Sequence, residues 1–144
     1  MRLTIRTNLA LRTLMYCAVN PGVTVRKTDV ATACNASENH LAQVIHKLGQ
    51  AGFLTTVRGR TGGLRLQRDA AEITVGEVVR AFESTTPFTT CMEPDGGDCP
   101  LAASCRLTCV FADALAEFYR HLDAVRLRDL VEGNHGLSRL LKVA

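Results

Sequence analysis

The chain has 144 residues, 47% of them hydrophobic and 22% charged, which suits one ordinary domain, or a small domain with an appendage, and marks the chain as globular rather than disordered. No apolar run approaches the ~20 residues that cross a bilayer. The net charge of +3 is split, with residues 1–68 at +8 and residues 69–144 at −5, so the first half suits a polyanion such as nucleic acid.

The opening "MRLTIRTNLALRTLMYCAV" is charged and periodic and lacks the apolar core of a signal peptide. A cytoplasmic protein with reduced thiols is expected. Within this segment Leu11, Leu14, Met15 and Ala18 fall at helical spacing and predict an amphipathic first helix. "TDVATACNAS" predicts a short second helix ending near Cys34 and Asn35, after which Ser37 can cap a third. In that third helix Leu41, Val44, Ile45 and Leu48 form a buried stripe, and Gly49 and Gly52 mark its end. Its opposite face carries Asn39, His40, Gln43, His46 and Lys47, side chains that can bond base edges or phosphates. "FLTTVRGRTGGLRLQ" then reads as two short strands about a glycine-rich turn, with Arg58 and Arg60 at the tip. Two arginines on such a wing suit the negative potential of a minor groove. The order predicts a winged helix-turn-helix over residues 1–83.

Residues 84–144 read as a cysteine segment followed by a long dimerisation helix. The transition is a fourth helix, "ITVGEVVRAFE", with Thr74 and Glu77 as a capping box and Val75, Val78, Val79 and Phe82 as its apolar stripe. Pro87, Pro94, Gly96, Gly97 and Pro100 then forbid a helix. From Leu101 to Val125 a long helix is expected, in which Phe111, Leu115, Phe118, Leu122 and Val125 step by four and three and suit a helix partner. "RDLVEGNHGLSRLLK" adds one or two short helices. The fold class is thus mainly α with a small β-wing.

Four of the six cysteines, Cys91, Cys99, Cys105 and Cys109, lie in the intervening segment. A chain of this size folds without staples, so reduced, clustered thiols read as metal ligands or redox groups. Structural zinc sites favour closely spaced pairs, and only Cys105 and Cys109 approach that spacing. An iron–sulfur cluster tolerates wider gaps; zinc and plain structural cysteines remain the alternatives. Cys17 and Cys34 sit among apolar neighbours in helices and read as small buried hydrophobes. No nucleophile–base pair, phosphate loop or paired carboxylate calls for catalysis, so an enzyme is not expected.

These features together resemble the winged-helix iron–sulfur regulators that include NsrR, IscR and RirA. The likeness rests on "MRLTIRTNLALRTLMYCAVN", "AGFLTTVRGRTGGLRL", "ITVGEVVRAFE" and the spaced Cys91, Cys99 and Cys105, and runs over nearly the whole chain. It implies a homodimeric transcription factor, a repressor on double-stranded operator DNA, whose cluster state controls binding. It implies Cys91, Cys99 and Cys105 as ligands of an iron–sulfur cluster, [4Fe-4S] or alternatively [2Fe-2S]. Arg58 matches the minor-groove wing arginine, and Ser37, Asn39 and Gln43 match the base-contacting face. "ENHLAQVIHKLGQAGF" and "LRDLVEGNHGLSRLLKV" look most like the nitric-oxide-sensing NsrR group, while the gap after Cys91 resembles the iron-responsive RirA group. The cluster-status regulators of the IscR type are a further alternative. The chain departs from the family at the fourth ligand. Asn8 stands where some members have aspartate, and Thr108 where others have histidine. Cys109, Asn8 or an exogenous group is left for that place. A zinc-stapled, constitutive DNA-binding protein would explain the charge and the wing but not the spacing of the thiols.

Overall fold

The structure, a computed structural model, describes residues 3–85, 87–93 and 98–143. Seven helices and one two-stranded sheet follow one another along these residues: α1 (Ile5–Val19), α2 (Lys27–Cys34), α3 (Glu38–Gln50), β1 (Leu54–Val57), β2 (Gly63–Leu66), α4 (Val75–Glu83), α5 (Leu107–Asp123), α6 (Leu127–Val131) and α7 (His135–Leu141). A short 3-10 turn, Thr90–Met92, lies between α4 and α5. This is the mainly helical, winged architecture that the sequence predicts.

Helix α1 is the central post, packed by α2, α3, α4, α6, α7 and β2. Its buried face is broader than the stripe of Leu11, Leu14, Met15 and Ala18. Leu14 is fully buried, but Leu9, Ala10, Tyr16 and Cys17 join it, with the hydroxyls of Thr7 and Thr13 also inside. The helix is enclosed on more than one side, so a single amphipathic stripe underestimates its core face. The Thr13 hydroxyl donates to the Leu9 carbonyl at 2.7 Å, which satisfies it within the core.

Helix α2 ends where expected, with Asn35 in the left-handed region at φ 49°. That conformation suits asparagine, whose short polar side chain lowers the cost. Ser37 caps α3, and Leu41, Val44, Ile45 and Leu48 are buried as the stripe predicts. Gly49 lies inside α3, whereas Gly52, at φ +77°, turns the chain out of it.

The wing is an antiparallel pair in the register Leu54 to Leu66, Thr55 to Arg65, Thr56 to Leu64 and Val57 to Gly63. Leu54 and Leu64 are buried while Thr55 and Arg65 are exposed, the alternation of a one-sided sheet at the root of the wing; beyond Leu54 the rest of β1 is exposed. Val25, before α2, adds a further rung: its N–H donates to the Leu64 carbonyl at 3.0 Å and receives the reciprocal bond at 2.8 Å. The root of the wing is thereby fastened to the start of the helix-turn-helix.

Helix α4 carries the expected capping box. The Thr74 hydroxyl accepts from the Glu77 N–H at 3.0 Å, and the Glu77 carboxylate accepts from the Thr74 N–H at 2.8 Å. Val75, Val78, Val79 and Phe82 are all buried. Helices α6 and α7 return to α1. Leu127 is fully buried, and the Asn20 side chain donates to the Leu141 carbonyl at 2.8 Å and accepts from the Val143 N–H at 2.9 Å. The core therefore draws on both ends of the chain.

One element differs from expectation. The long helix begins at Leu107 rather than Leu101 and ends at Asp123. Residues 98–104 form successive turns, with Ala102 donating to Cys99 and Ser104 to Leu101. Leu101 is 68% exposed. Without a surface to bury against, local propensity alone does not extend the helix.

Candidate functional site

Two surfaces carry the residues expected to act. The first is built by α3 and the wing. Asn39, Gln43 and His46 recur at i, i+4 and i+7 on α3 and are exposed, with His40 beside them. Ser37 serves as the cap, accepting from the His40 N–H at 3.3 Å, and keeps its own O–H to donate. The Lys27 ammonium lies 3.0 Å from the Glu38 carboxylate, joining the starts of α2 and α3. Lys47 differs from the others. It is half-buried, and its ammonium stands 4.9 Å over the Phe82 ring, so part of its reach is spent on α4. Arg58 and Arg60 are exposed on the wing. The Gln43 carbonyl oxygen accepts from an Arg6 guanidinium N–H at 3.1 Å, a link between α1 and the α3 face that no sequence pattern signals.

The second surface is the cysteine segment. All six thiols are free. Cys17 and Cys34 are buried, as expected. Burial pushes the Cys17 thiol up to about 12. It raises that of Cys34 too, where Arg12 partly opposes the effect. The thiolate is the reactive form, and at pH 8 Cys17 presents about one part in ten thousand of it. In the metal-free native protein, thiol titration at pH 8 will therefore separate slow Cys17 and Cys34 from fast thiols of the cysteine segment, and denaturant will bring all six to one rate. Rapid labelling of Cys17 in the folded protein would contradict its place in the core.

Cys91 and Cys105 are half-buried, and Cys99 and Cys109 are exposed. The Cys91 sulfur is 3.0 Å from the Thr89 hydroxyl. Hydrogen bonds from Thr89 and then Thr108 hold its thiol below the usual range. Thr108, in the first turn of α5, thus stands near the 3-10 turn. Phe88 packs edge-on against Phe111 with centroids 5.7 Å apart, a tie between the approach to that turn and α5. Among the described residues of 84–105 no side chain is buried.

Three free thiols on a segment outside the core, with hydroxyls turned toward one of them, fit the donor set of an iron–sulfur cluster at the edge of the protein. Among the described residues no three His, Cys, Asp or Glu side chains converge into a ready metal cluster. Cys91, Cys99 and Cys105 would hold such a group. Asn8 is exposed on α1 and Cys109 on α5, and both remain open for the fourth place.

The base of α5 is firmly held. Arg80 on α4 donates through both terminal nitrogens to the two Asp123 oxygens at 2.6 Å each, and its guanidinium stacks 4.4 Å from the Tyr119 ring centre. These bonds hold the Asp123 carboxyl below the usual range. Gly76 permits the approach, since a Cβ there would collide with the Asp123 carboxylate. The Val75 N–H donates to the Val125 carbonyl at 2.9 Å just beyond. Along the rest of α5, Phe111, Leu115, Phe118 and Leu122 are only half-buried, and no residue of the helix is fully buried. A groove of about 680 Å³ runs beside them, walled by Phe88, Met92, Phe111, Leu115 and Phe118. At the other end of α4, Glu83 accepts from the Thr4 N–H at 2.8 Å and from the Thr7 hydroxyl, fastening the start of α1 to the start of the cysteine segment. Sequence reading missed both of these carboxylate contacts, because their partners lie 43 to 79 residues apart. Among the described residues no helix is long and apolar enough to cross a membrane.

The profile of the Rrf2 family, described as iron-dependent transcriptional regulators, matches residues 3–133. The HTH-type transcriptional regulator NsrR of Geobacillus kaustophilus is 40% identical over 99% of this chain and 97% of its own length. Protein aau3 of Rhizobium meliloti is 41% identical over 98% of this chain and 92% of its own. Among solved structures, IscR of T. potens superposes with a TM-score of 0.75 at 21% identity, covering all of this chain and 93% of the other, a likeness of fold. The chain belongs to the Rrf2 family of DNA-binding transcriptional regulators, which are not enzymes.

Proposed function

We propose that this regulator is a homodimeric repressor whose grip on operator DNA depends on an iron–sulfur cluster and is released by nitric oxide. The observation that carries the reading is the division of the chain. Helix α3, with its exposed polar face, and the wing sit on one packed body, while three free thiols lie between α4 and α5, where no side chain is buried among the described residues 84–105. Cys91, Cys99 and Cys105 would hold the cluster, [4Fe-4S] or alternatively [2Fe-2S]. An iron–sulfur cluster, when bound, supplies iron that reacts with nitric oxide and is lost when iron is scarce. Thiolates from the 3-10 turn and the approach to α5 would be drawn together on the cluster. Through Phe88, Thr108 and the Arg80–Asp123 clamp they would set α5 against the reading body. Two bodies joined along α5 would then present their α3 helices to successive half-sites. Asn39, Gln43 and His40 face the major groove in this reading, with Ser37 at the helix start and Lys47 at its flank. Arg58 and Arg60 enter the minor groove. The site of action is the cytoplasm, where thiols stay reduced.

Anaerobic purification followed by iron, sulfide and absorption analysis during a nitric oxide titration, with operator binding measured in parallel, tests the reading. Loss of absorption and of DNA binding together is expected. A colourless protein holding zinc would overturn it. Release by iron chelation with indifference to nitric oxide would move it to the iron-responsive alternative.

The reading and sensing surfaces are separable. Arg58→Ala is expected to weaken operator binding about tenfold. It should leave iron content and absorption unchanged, as checked by fluorescence anisotropy beside the spectrum. An unchanged affinity would remove Arg58 from the DNA contact.

A further inference from the structure

We infer that Arg6 is a specificity-positioning residue, which orients the Gln43 amide so that it reads chiefly as a donor and so biases one operator position toward guanine. The inference rests on the proposed role of α3 in the major groove. Arg6 and Gln43 are both exposed, on α1 and α3, and Arg6 donates to the Gln43 carbonyl oxygen at 3.1 Å.

A guanidinium has only donors and keeps its charge at every accessible pH. Any hydrogen bond it makes to a glutamine must therefore go to the carbonyl oxygen, which fixes the way the amide faces. An unconstrained glutamine reads adenine with both ends of the amide: its oxygen accepts from N6 and its amino group donates to N7. Arg6 takes one of the two acceptor positions on the oxygen, and its positive charge beside that oxygen disfavours the approach of the adenine amino group. The Gln43 amino group is left free, and its two N–H donors match an edge made only of acceptors. In the major groove that edge is guanine, with N7 and O6 side by side.

No other side chain bonded to Gln43 competes with Arg6 for this task among the described residues. Arg6 is exposed on the second residue of α1, so replacing it leaves the core untouched. Lysine at the same position would also be donor-only, whereas alanine would free the amide oxygen.

Selection from a randomised duplex library tests the inference. It uses the full-length protein, purified without oxygen, and the variants Gln43→Ala, Arg6→Ala and Arg6→Lys. Gln43→Ala should flatten the preference at one position and so locate it. At that position the unaltered protein and Arg6→Lys should select guanine. Arg6→Ala should move the guanine-to-adenine ratio toward adenine by about fivefold or more. Arg6→Ala with lower affinity and the same preference would overturn the inference, because Arg6 would then act only as a charge. If Gln43→Ala flattens no position while the unaltered protein still selects a motif, Gln43 does not read bases and the inference fails with its placement. If the unaltered protein selects no sequence at all, the operator-binding proposal itself fails.

Discussion

Cys99→Ala purified without oxygen will retain background iron and sulfide and will bind operator ~2–3 kcal/mol more weakly than the loaded protein. A missing thiolate opens a corner of the cluster; Cys99 is exposed, in a run of turns, and the described residues beside it are exposed too. For the same reason thermal stability of the metal-free protein should be unchanged, since nothing buried is lost. Cys34→Ala provides the contrast. Its sulfur lies in the core at the end of α2, so stability should fall while iron remains. Full iron and sulfide in Cys99→Ala would remove the cysteine segment from metal binding. A matched loss in Cys34→Ala would point to general misfolding instead.

If the proposed homodimer forms along α5, Leu115→Glu will convert it to a monomer and lower operator affinity by about a hundredfold or more, because the second half-site no longer binds as part of one molecule. Leu115 sits midway along the half-buried seam of α5 and lines the groove beside it. Each apolar side chain fully covered by a partner contributes about 1.5–3 kcal/mol, and a carboxylate forced into that contact loses its hydration without gaining a partner. Sedimentation should report the change in mass, with circular dichroism showing that the helices remain. A dimer that survives the substitution would place the interface elsewhere on the chain.

The features legible in the sequence were those governed by neighbours in the chain. The Ser37 cap, the stripe from Leu41 to Leu48, the paired strands and the Thr74–Glu77 box are each set by local hydrogen bonding and periodicity, and all stand in the structure. The start of α5 was misplaced by six residues because helix-favouring residues from Leu101 onward have no surface to cover. The wider face of α1 was missed because it depends on α6 and α7 coming back to meet it. At the candidate sites, residue types were legible but their engagements were not. Lys47 over Phe82, Arg6 on Gln43 and Thr108 beside Cys91 all join elements whose approach no local pattern encodes.

The Arg80–Asp123 clamp and the Glu83 contacts to Thr4 and Thr7 hold both helices that flank the cysteine segment without using that segment. Lengthening such a connection costs little: doubling a loop adds only ~0.6 kcal/mol of closure entropy. Insertions, deletions and exchanged ligands between Ser84 and Cys105 should consequently be tolerated by folding and felt only by chemistry. A lineage built on this frame could try new sensory inputs by point mutation and small length changes, while the body that reads DNA stayed under separate selection.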